Sequence, residues 1–301
     1  ITTRTMIHAT ACRFILICLV TMAAAARVAL GLSVPSEIER VALITGSNKG
    51  IGKEIAKKLG AEKGTLCLLG CRNKELGHAA VEELKEEHGC QNVVSVPMDL
   101  DNVVTIDNAV SFIEENYGRC DLLINNAAIC FNDPTLYGKV PHTSFEKQAN
   151  ITVRTNFFGT LALTRAMLPL LKKSPLPARV INIASSAGRL SILPAQERRE
   201  AFSSKDLQME ELERYMQEFI HDVENGVHAE RGWPNTCYGA SKVAIIAMTK
   251  ILARENPKIM FNSVDPGYCA TDQNNNQGYL PPERGAITPF LLATLPDDQF
   301  F

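Results

Sequence analysis

The chain carries almost no net charge, has a single tryptophan, and lacks any apolar run long enough to cross a bilayer. Its 31 Lys and Arg against 33 Asp and Glu leave a formal charge of −2. There is no basic surplus of the kind that grips nucleic acid. The stretch 14–26, apolar but for Thr21 and ended by Arg27, is 13 residues long. A membrane-spanning helix needs about 20. No linker rich in Pro, Gly or Ser divides the chain and no period repeats, which speaks against a solenoid or a string of domains. The nine cysteines are scattered and never spaced Cys-x2-Cys. Neither a metal site nor a disulfide scaffold is indicated, and reduced thiols in a reducing compartment follow.

Residues 1–36 also lack Asp and Glu, and carry Arg4, Arg13 and Arg27. They read as an amino-terminal extension to a domain of 37–301. Their basic start, short apolar core and Ala23-Ala24-Ala25 suit a secretory signal, and arginines without acids suit an organelle transit peptide. The chain opens on Ile1, and Met22 offers an internal start, so an extension foreign to the domain is the third reading. The domain itself is expected in the cytoplasm, or in a secretory or organellar compartment if 1–36 is a targeting segment. Asn150-Ile151-Thr152 is a glycosylation sequon that matters only in a secreted chain.

What is present is strand–helix alternation. Short apolar runs at 41–45, 65–69, 93–98, 122–125, 180–184 and 259–264 read as strands. They are continuous rather than alternating, as strands buried on both faces are. Helical patterns fill 53–60, 75–88, 105–117, 151–172 and 238–254. The order implies an α/β fold, a doubly wound parallel sheet in a single domain. One insertion, about 190–234, interrupts the rhythm. Within it Leu212, Met216, Phe219, Ile220 and Val223 fall at helical spacing, an amphipathic helix. Such an insertion can wall a pocket or cover a face that would otherwise pair with a second subunit.

The first strand runs into Thr45-Gly46-Ser47-Asn48-Lys49-Gly50-Ile51-Gly52. Apolar strand, glycine turn and helix start make a phosphate cradle, in which glycines let the backbone approach a pyrophosphate and the helix N–H groups face its charge. The residues past the second strand select the cofactor. An acid there binds a ribose 2′-hydroxyl, and a cation accommodates a 2′-phosphate. Here Arg72 follows the strand, no acid appears before Glu75, and Lys49 adds a cation in the turn. NADP(H) is favoured over NAD(H). Asp99 and Leu100 close the third strand, where the adenine is expected, and Asn125-Asn126-Ala127-Ala128 closes the fourth.

Tyr238-Gly-Ala-Ser-Lys242 places two functional groups on one helix face, with Cβ atoms about 5–6 Å apart. A neighbouring ammonium is expected to lower the tyrosine pKa and make it a proton donor near neutral pH. Ser185-Ser186 follows the fifth strand at the sheet edge where ligands bind, and one of the two hydroxyls is placed to meet a substrate oxygen. Asn156 sits in a helical stretch that its side chain disfavours.

At these residues the chain resembles the short-chain dehydrogenase/reductase family. The match runs over about 41–296 and rests on Thr45-Gly46-x3-Gly50-Ile51-Gly52, Asn125-Asn126-Ala127, Asn156, Ser186 and Tyr238-x3-Lys242 in the family's order. More narrowly it is similar to the NADPH-dependent carbonyl reductases, through Thr155-Asn156-Phe157-Phe158-Gly159-Thr160, Gly226-Val227-His228, Gly232-Trp233-Pro234 and the insertion. The resemblance implies reduction of aldehydes, ketones or quinones with NADPH, by a monomer that needs no nucleic acid and no membrane span. It implies Tyr238 as general acid, Lys242 lowering its pKa and holding the nicotinamide ribose, Ser186 orienting the carbonyl, and Asn156 holding a water of the proton relay. Pro266, Gly267 and Thr271 are implied near the nicotinamide, and Trp233 and Tyr268 at the substrate. A further strand is implied near Phe301, so the carboxyl end is expected to be incomplete. Ala128, Asp265 and Tyr268 depart from the family's usual glycine, cysteine and tryptophan. Two other classes stay in view: a non-catalytic NADP(H)-binding regulator, and an NAD(P)-dependent dehydrogenase that oxidises a lipid or steroid alcohol.

Overall fold

A computed structural model describes residues 37–131 and 143–296. The extension 1–36 and the segment beyond 296, where a last strand is expected, lie outside the described residues.

Six parallel strands form one sheet: β1 (Arg40–Thr45), β2 (Thr65–Cys71), β3 (Val93–Pro97), β4 (Leu122–Asn125), β5 (Arg179–Ile183) and β6 (Met260–Val264). Their order is β3-β2-β1-β4-β5-β6. Ile44 pairs with Leu69 on one side and Ile124 on the other. The winding therefore reverses between β1 and β4, the crevice at which ligands bind in such sheets.

The apolar runs form strands because both faces are covered. Val41 and Leu43 point into a core shared with α3 (Val103–Tyr117) and α5 (Thr160–Leu171). Ala42 and Ile44 point into the opposite core, against α1 (Gly50–Gly60), α2 (Lys74–Glu86) and α10 (Ile287–Thr294). The helix expected at 151–172 begins earlier. It consists of α4 (Phe145–Val153), a π-helical segment (Arg154–Gly159) and α5. The wide turn falls at Asn156, whose side chain is drawn away to other partners.

Between β5 and α8 (Cys237–Glu255) lie two 3-10 turns, α6 (Gln196–Ser203) and α7 (Met209–Glu224); α9 (Pro282–Gly285) follows β6. In α7 the expected stripe is buried: Leu212, Met216 and Phe219 are inaccessible, and they join one core with α4 and α8. Arg165 on α5 pairs with Glu213 on α7 at 2.8 Å. Among the described residues no helix is long and apolar enough to cross a membrane.

Phe219 is fully buried and its ring lies 5.4 Å from that of Trp233. Phe219→Ala should lower unfolding stability by about 3–5 kcal/mol, the usual cost of an aromatic deleted from a core. Urea denaturation measures it, and an unchanged midpoint would show that the insertion is not part of the folded core.

Candidate active site

The glycine turn is built against the end of β4. Gly46 has φ +62°, and a Cβ there would stand 2.9 Å from the Ala127 Cα. No other residue allows that approach without displacing backbone. The Asn126 side chain donates to Thr45 O at 2.9 Å and to Gly46 O at 3.1 Å, while its backbone N–H donates to Thr45 Oγ1 at 2.9 Å. Gly52 packs against the same asparagine. The first turn of α1 has no acidic residue, and Lys49 at its N-cap makes no side-chain cap. Its backbone N–H groups are left for an anion.

A cavity of about 490 Å³ opens over this turn. Gly46, Asn48, Lys49, Gly50 and Ile51 line one end, with Arg72, Asp99 and Leu100 beside them. Asn126, Ala127, Ala128, Ile129 and Cys130 form a second wall, and Thr271, Asp272 and Gln273 a third. Uncapped helix, glycine approach and two cations fit the phosphates of NADP(H). Pro266 and Gly267 are not lining residues; they form the turn that leads from β6 toward the third wall. One acid was missed by reading near the turn alone: Asp272 pairs with Lys49 at 2.7 Å from 223 residues away, with both side chains largely exposed.

The catalytic helix α8 starts at Thr236, whose hydroxyl accepts from Gly239 N at 3.0 Å. The turn after β5 packs tightly on it. A Cβ on Gly188 would lie 2.7 Å from the carbonyl carbon of Lys242. Ser185, on this turn, is the serine that acts on the Tyr238 hydroxyl and opposes the rise of its pKa. The serine expected there was Ser186, and the structure corrects it by one residue. Ser185 is extended at the strand end and also accepts from Ala187 N at 3.1 Å. Ser186 begins the next turn and is exposed.

Lys242 and Tyr238 share a face, yet the expected lowering of the tyrosine pKa is not the balance seen. Burial pushes the Tyr238 hydroxyl up, the Cys130 thiol and Asp265 carboxylate add to this, and Ser185 and Gln273 oppose it. The Lys242 Nζ stands 5.4 Å from the tyrosine ring centroid and donates to Ile183 O at 2.6 Å. Its own pKa is lowered to about 8, because burial disfavours the ammonium while Cys130 and Asp265 favour it.

Asn156 is buried and its amide is engaged. Ile129 N donates to its Oδ1 at 2.8 Å, and its Nδ2 donates to Ile129 O at 2.9 Å and to Ser241 Oγ at 3.1 Å. It fixes the wall that carries Cys130. Trp233 was expected at the substrate and is not there. It is 1% exposed in the insertion's core, its indole N–H donates to Asp222 at 3.0 Å, and the Arg198 guanidinium lies 3.9 Å from its ring centroid. Tyr268 is exposed and packs against Tyr279, ring centroids 5.8 Å apart. Cys130 and Gln273 were not anticipated, because a lone thiol and a loop glutamine carry no spacing signal.

Residues 40–195 match the family described as short chain dehydrogenase. Carbonyl reductase [NADPH] 1 of Mus musculus is 37% identical over 267 residues, covering 86% of this chain and 92% of its own length. Carbonyl reductase [NADPH] 3 of Rattus norvegicus is 35% identical over 272 residues, covering 87% and 94%. Among solved structures, salutaridine reductase from Papaver somniferum superposes with a TM-score of 0.78 at 29% identity, over 86% of this chain and 97% of its own.

Lys242 gives a pH test. With a native pKa near 8 against 10.5 when unfolded, only the unfolded chain holds this proton between those values. The wild type should therefore gain stability relative to Lys242→Met as pH rises through that window, by about 2 kcal/mol between pH 7 and pH 10. Urea titrations at both pH values measure this, and a constant difference would contradict the buried ammonium.

Proposed function

Since this chain belongs to the short-chain dehydrogenase/reductase family, we propose that it is an NADPH-dependent carbonyl reductase acting on aldehydes, ketones or quinones. The observation that carries the proposal is the meeting of a tyrosine, a serine and a buried lysine beside Cys130, which lines a cavity that Lys49, Arg72 and an uncapped helix also line. The two curated relatives above are named for the same cofactor and reaction.

The uncapped turn of α1 would receive the pyrophosphate, and Lys49 and Arg72 the 2′-phosphate. Asp99 and Leu100 would face the adenosine end, and Thr271 the nicotinamide end. When bound, NADPH supplies the hydride for the carbonyl carbon. Ser185 Oγ orients the carbonyl oxygen. Tyr238 Oη gives that oxygen its proton as negative charge develops there. A hydroxyl pushed up by burial stays protonated across the physiological range, as a proton donor must. Lys242 places a positive charge beneath the tyrosine and, held by Ile183 O, keeps it off the carbonyl itself. Asn156 positions the Ile129–Cys130 wall against which the substrate lies.

The insertion supports a monomer in this account, because α7 covers α4 and is tied to α5 through Arg165 and Glu213. The free cysteines, six of the seven described being buried, suit a reducing compartment such as the cytoplasm.

The test is NADPH oxidation with aromatic aldehydes and quinones, comparing two adjacent serines. Ser185→Ala should cut kcat at least about 100-fold, as loss of a transition-state hydrogen bond does. Ser186→Ala should stay within about twofold. No turnover by the wild type with NADPH bound would remove the function, and equal losses from both variants would remove the assignment of Ser185.

A further inference from the structure

The charged residues that line the cavity are the cations Lys49 and Arg72 and the acids Asp99 and Asp272. Lys49 already has a counter-ion. Its Nζ lies 2.7 Å from Asp272 Oδ2, with the two side chains 61% and 65% exposed. The pair is not what fixes the loop that carries Asp272. The 3-10 turn Asp272–Asn274 is anchored by other contacts. Thr271 N donates to Asn274 Oδ1 at 3.1 Å, Asn274 Nδ2 donates to Cys269 O at 2.8 Å, and Ala270 N donates to Leu280 O at 2.8 Å. Thr271 also packs on the glycine turn, since a Cβ on Gly50 would stand 3.4 Å from its Cγ2. A loop anchored elsewhere thus presents the Asp272 carboxylate to the turn. The Lys49 ammonium, on its flexible four-carbon stem, is the member free to move.

We propose that Asp272 is a specificity-determining residue for the cofactor: it holds the Lys49 ammonium and competes for it with the 2′-phosphate of NADP(H), so that its removal tightens the phosphorylated cofactor and not NAD(H). The inference rests on Lys49 serving the 2′-phosphate, as proposed above. A phosphate monoester carries about two negative charges near neutral pH, against one on the carboxylate. It therefore displaces Asp272 from Lys49, and the pair weakens binding without abolishing it. An exposed ion pair is worth at most about a fivefold factor in an equilibrium. NAD(H) has no phosphate at that position and leaves the pair closed. Both partners are exposed, so salt screens the competition.

Titration calorimetry with NADP+ and NAD+ tests this. Asp272→Asn keeps the shape and removes the charge. At about 20 mM NaCl it should tighten NADP+ about fivefold and change NAD+ less than about twofold. At about 500 mM NaCl the gain for NADP+ should fall below about twofold. In a Lys49→Met background Asp272→Asn should move NADP+ affinity less than about twofold, because the partner it competes for is gone. Unchanged or weaker NADP+ binding in Asp272→Asn overturns the proposal. So does an equal gain for NAD+, or a gain that survives Lys49→Met. The predicted affinities in a protein that reduces no carbonyl would uphold Asp272 as the discriminating residue while the function proposed above failed. Carbonyl turnover with NADP+ affinity unchanged in Asp272→Asn would do the reverse.

Discussion

Hydrogen bonds on either side of a short backbone step join the glycine turn to the helix that carries Tyr238. Asn126 clasps Thr45 and Gly46 at the sheet's reversal point. Three residues on, Ile129 exchanges two bonds with Asn156. Asn156 then donates to Ser241, and Ser241 to the carbonyl of Tyr238 at 2.7 Å. Each of these groups is buried or half-buried, where an unmade hydrogen bond costs about 1–3 kcal/mol. The end proposed to receive phosphate and the end proposed to move a proton are thus set relative to one another by protein alone. That is the preorganisation a hydride-and-proton reaction requires, since both must reach one carbonyl in register.

Against this frame stands a group held at some cost. Burying the Lys242 ammonium lowers its pKa to about 8, which disfavours the charged form by roughly 3 kcal/mol. The bond to Ile183 O at the end of β5 offsets part of that. The same burial drives Tyr238 the other way. Two groups that would exchange a proton readily in water are thereby pushed apart, and the proposed roles, proton donor for Tyr238 and nearby charge for Lys242, rest on that separation.

The sheet was legible in the sequence because strands covered on both faces are apolar in runs rather than in alternation, and β1, β2, β4 and β5 are buried almost throughout. Tyr238 and Lys242 were legible because helix periodicity puts them on one face. The serine was not. At the end of a strand successive side chains alternate sides, so a one-residue misreading exchanges Ser185 for Ser186 and the cleft for solvent. Trp233 misled for a different reason. It was expected at the substrate, but a buried Asp222 and a stacked Arg198 satisfy its polar edge and its face inside the core. Asp272 and Gln273 come from beyond β6 and meet residues far away in the chain, contacts that carry no local pattern.

The central claim is that the ordered path from Asn126 to Tyr238 serves delivery of hydride and proton to one carbonyl. Its most direct test is isotopic. NADPH carrying deuterium at the transferable position is incubated with an aromatic aldehyde and the protein, and the alcohol is weighed by mass spectrometry. The account predicts one deuterium on the carbinol carbon with the wild type and no product above background with Tyr238→Phe. An alcohol formed without deuterium, or formed equally by Tyr238→Phe, would contradict it.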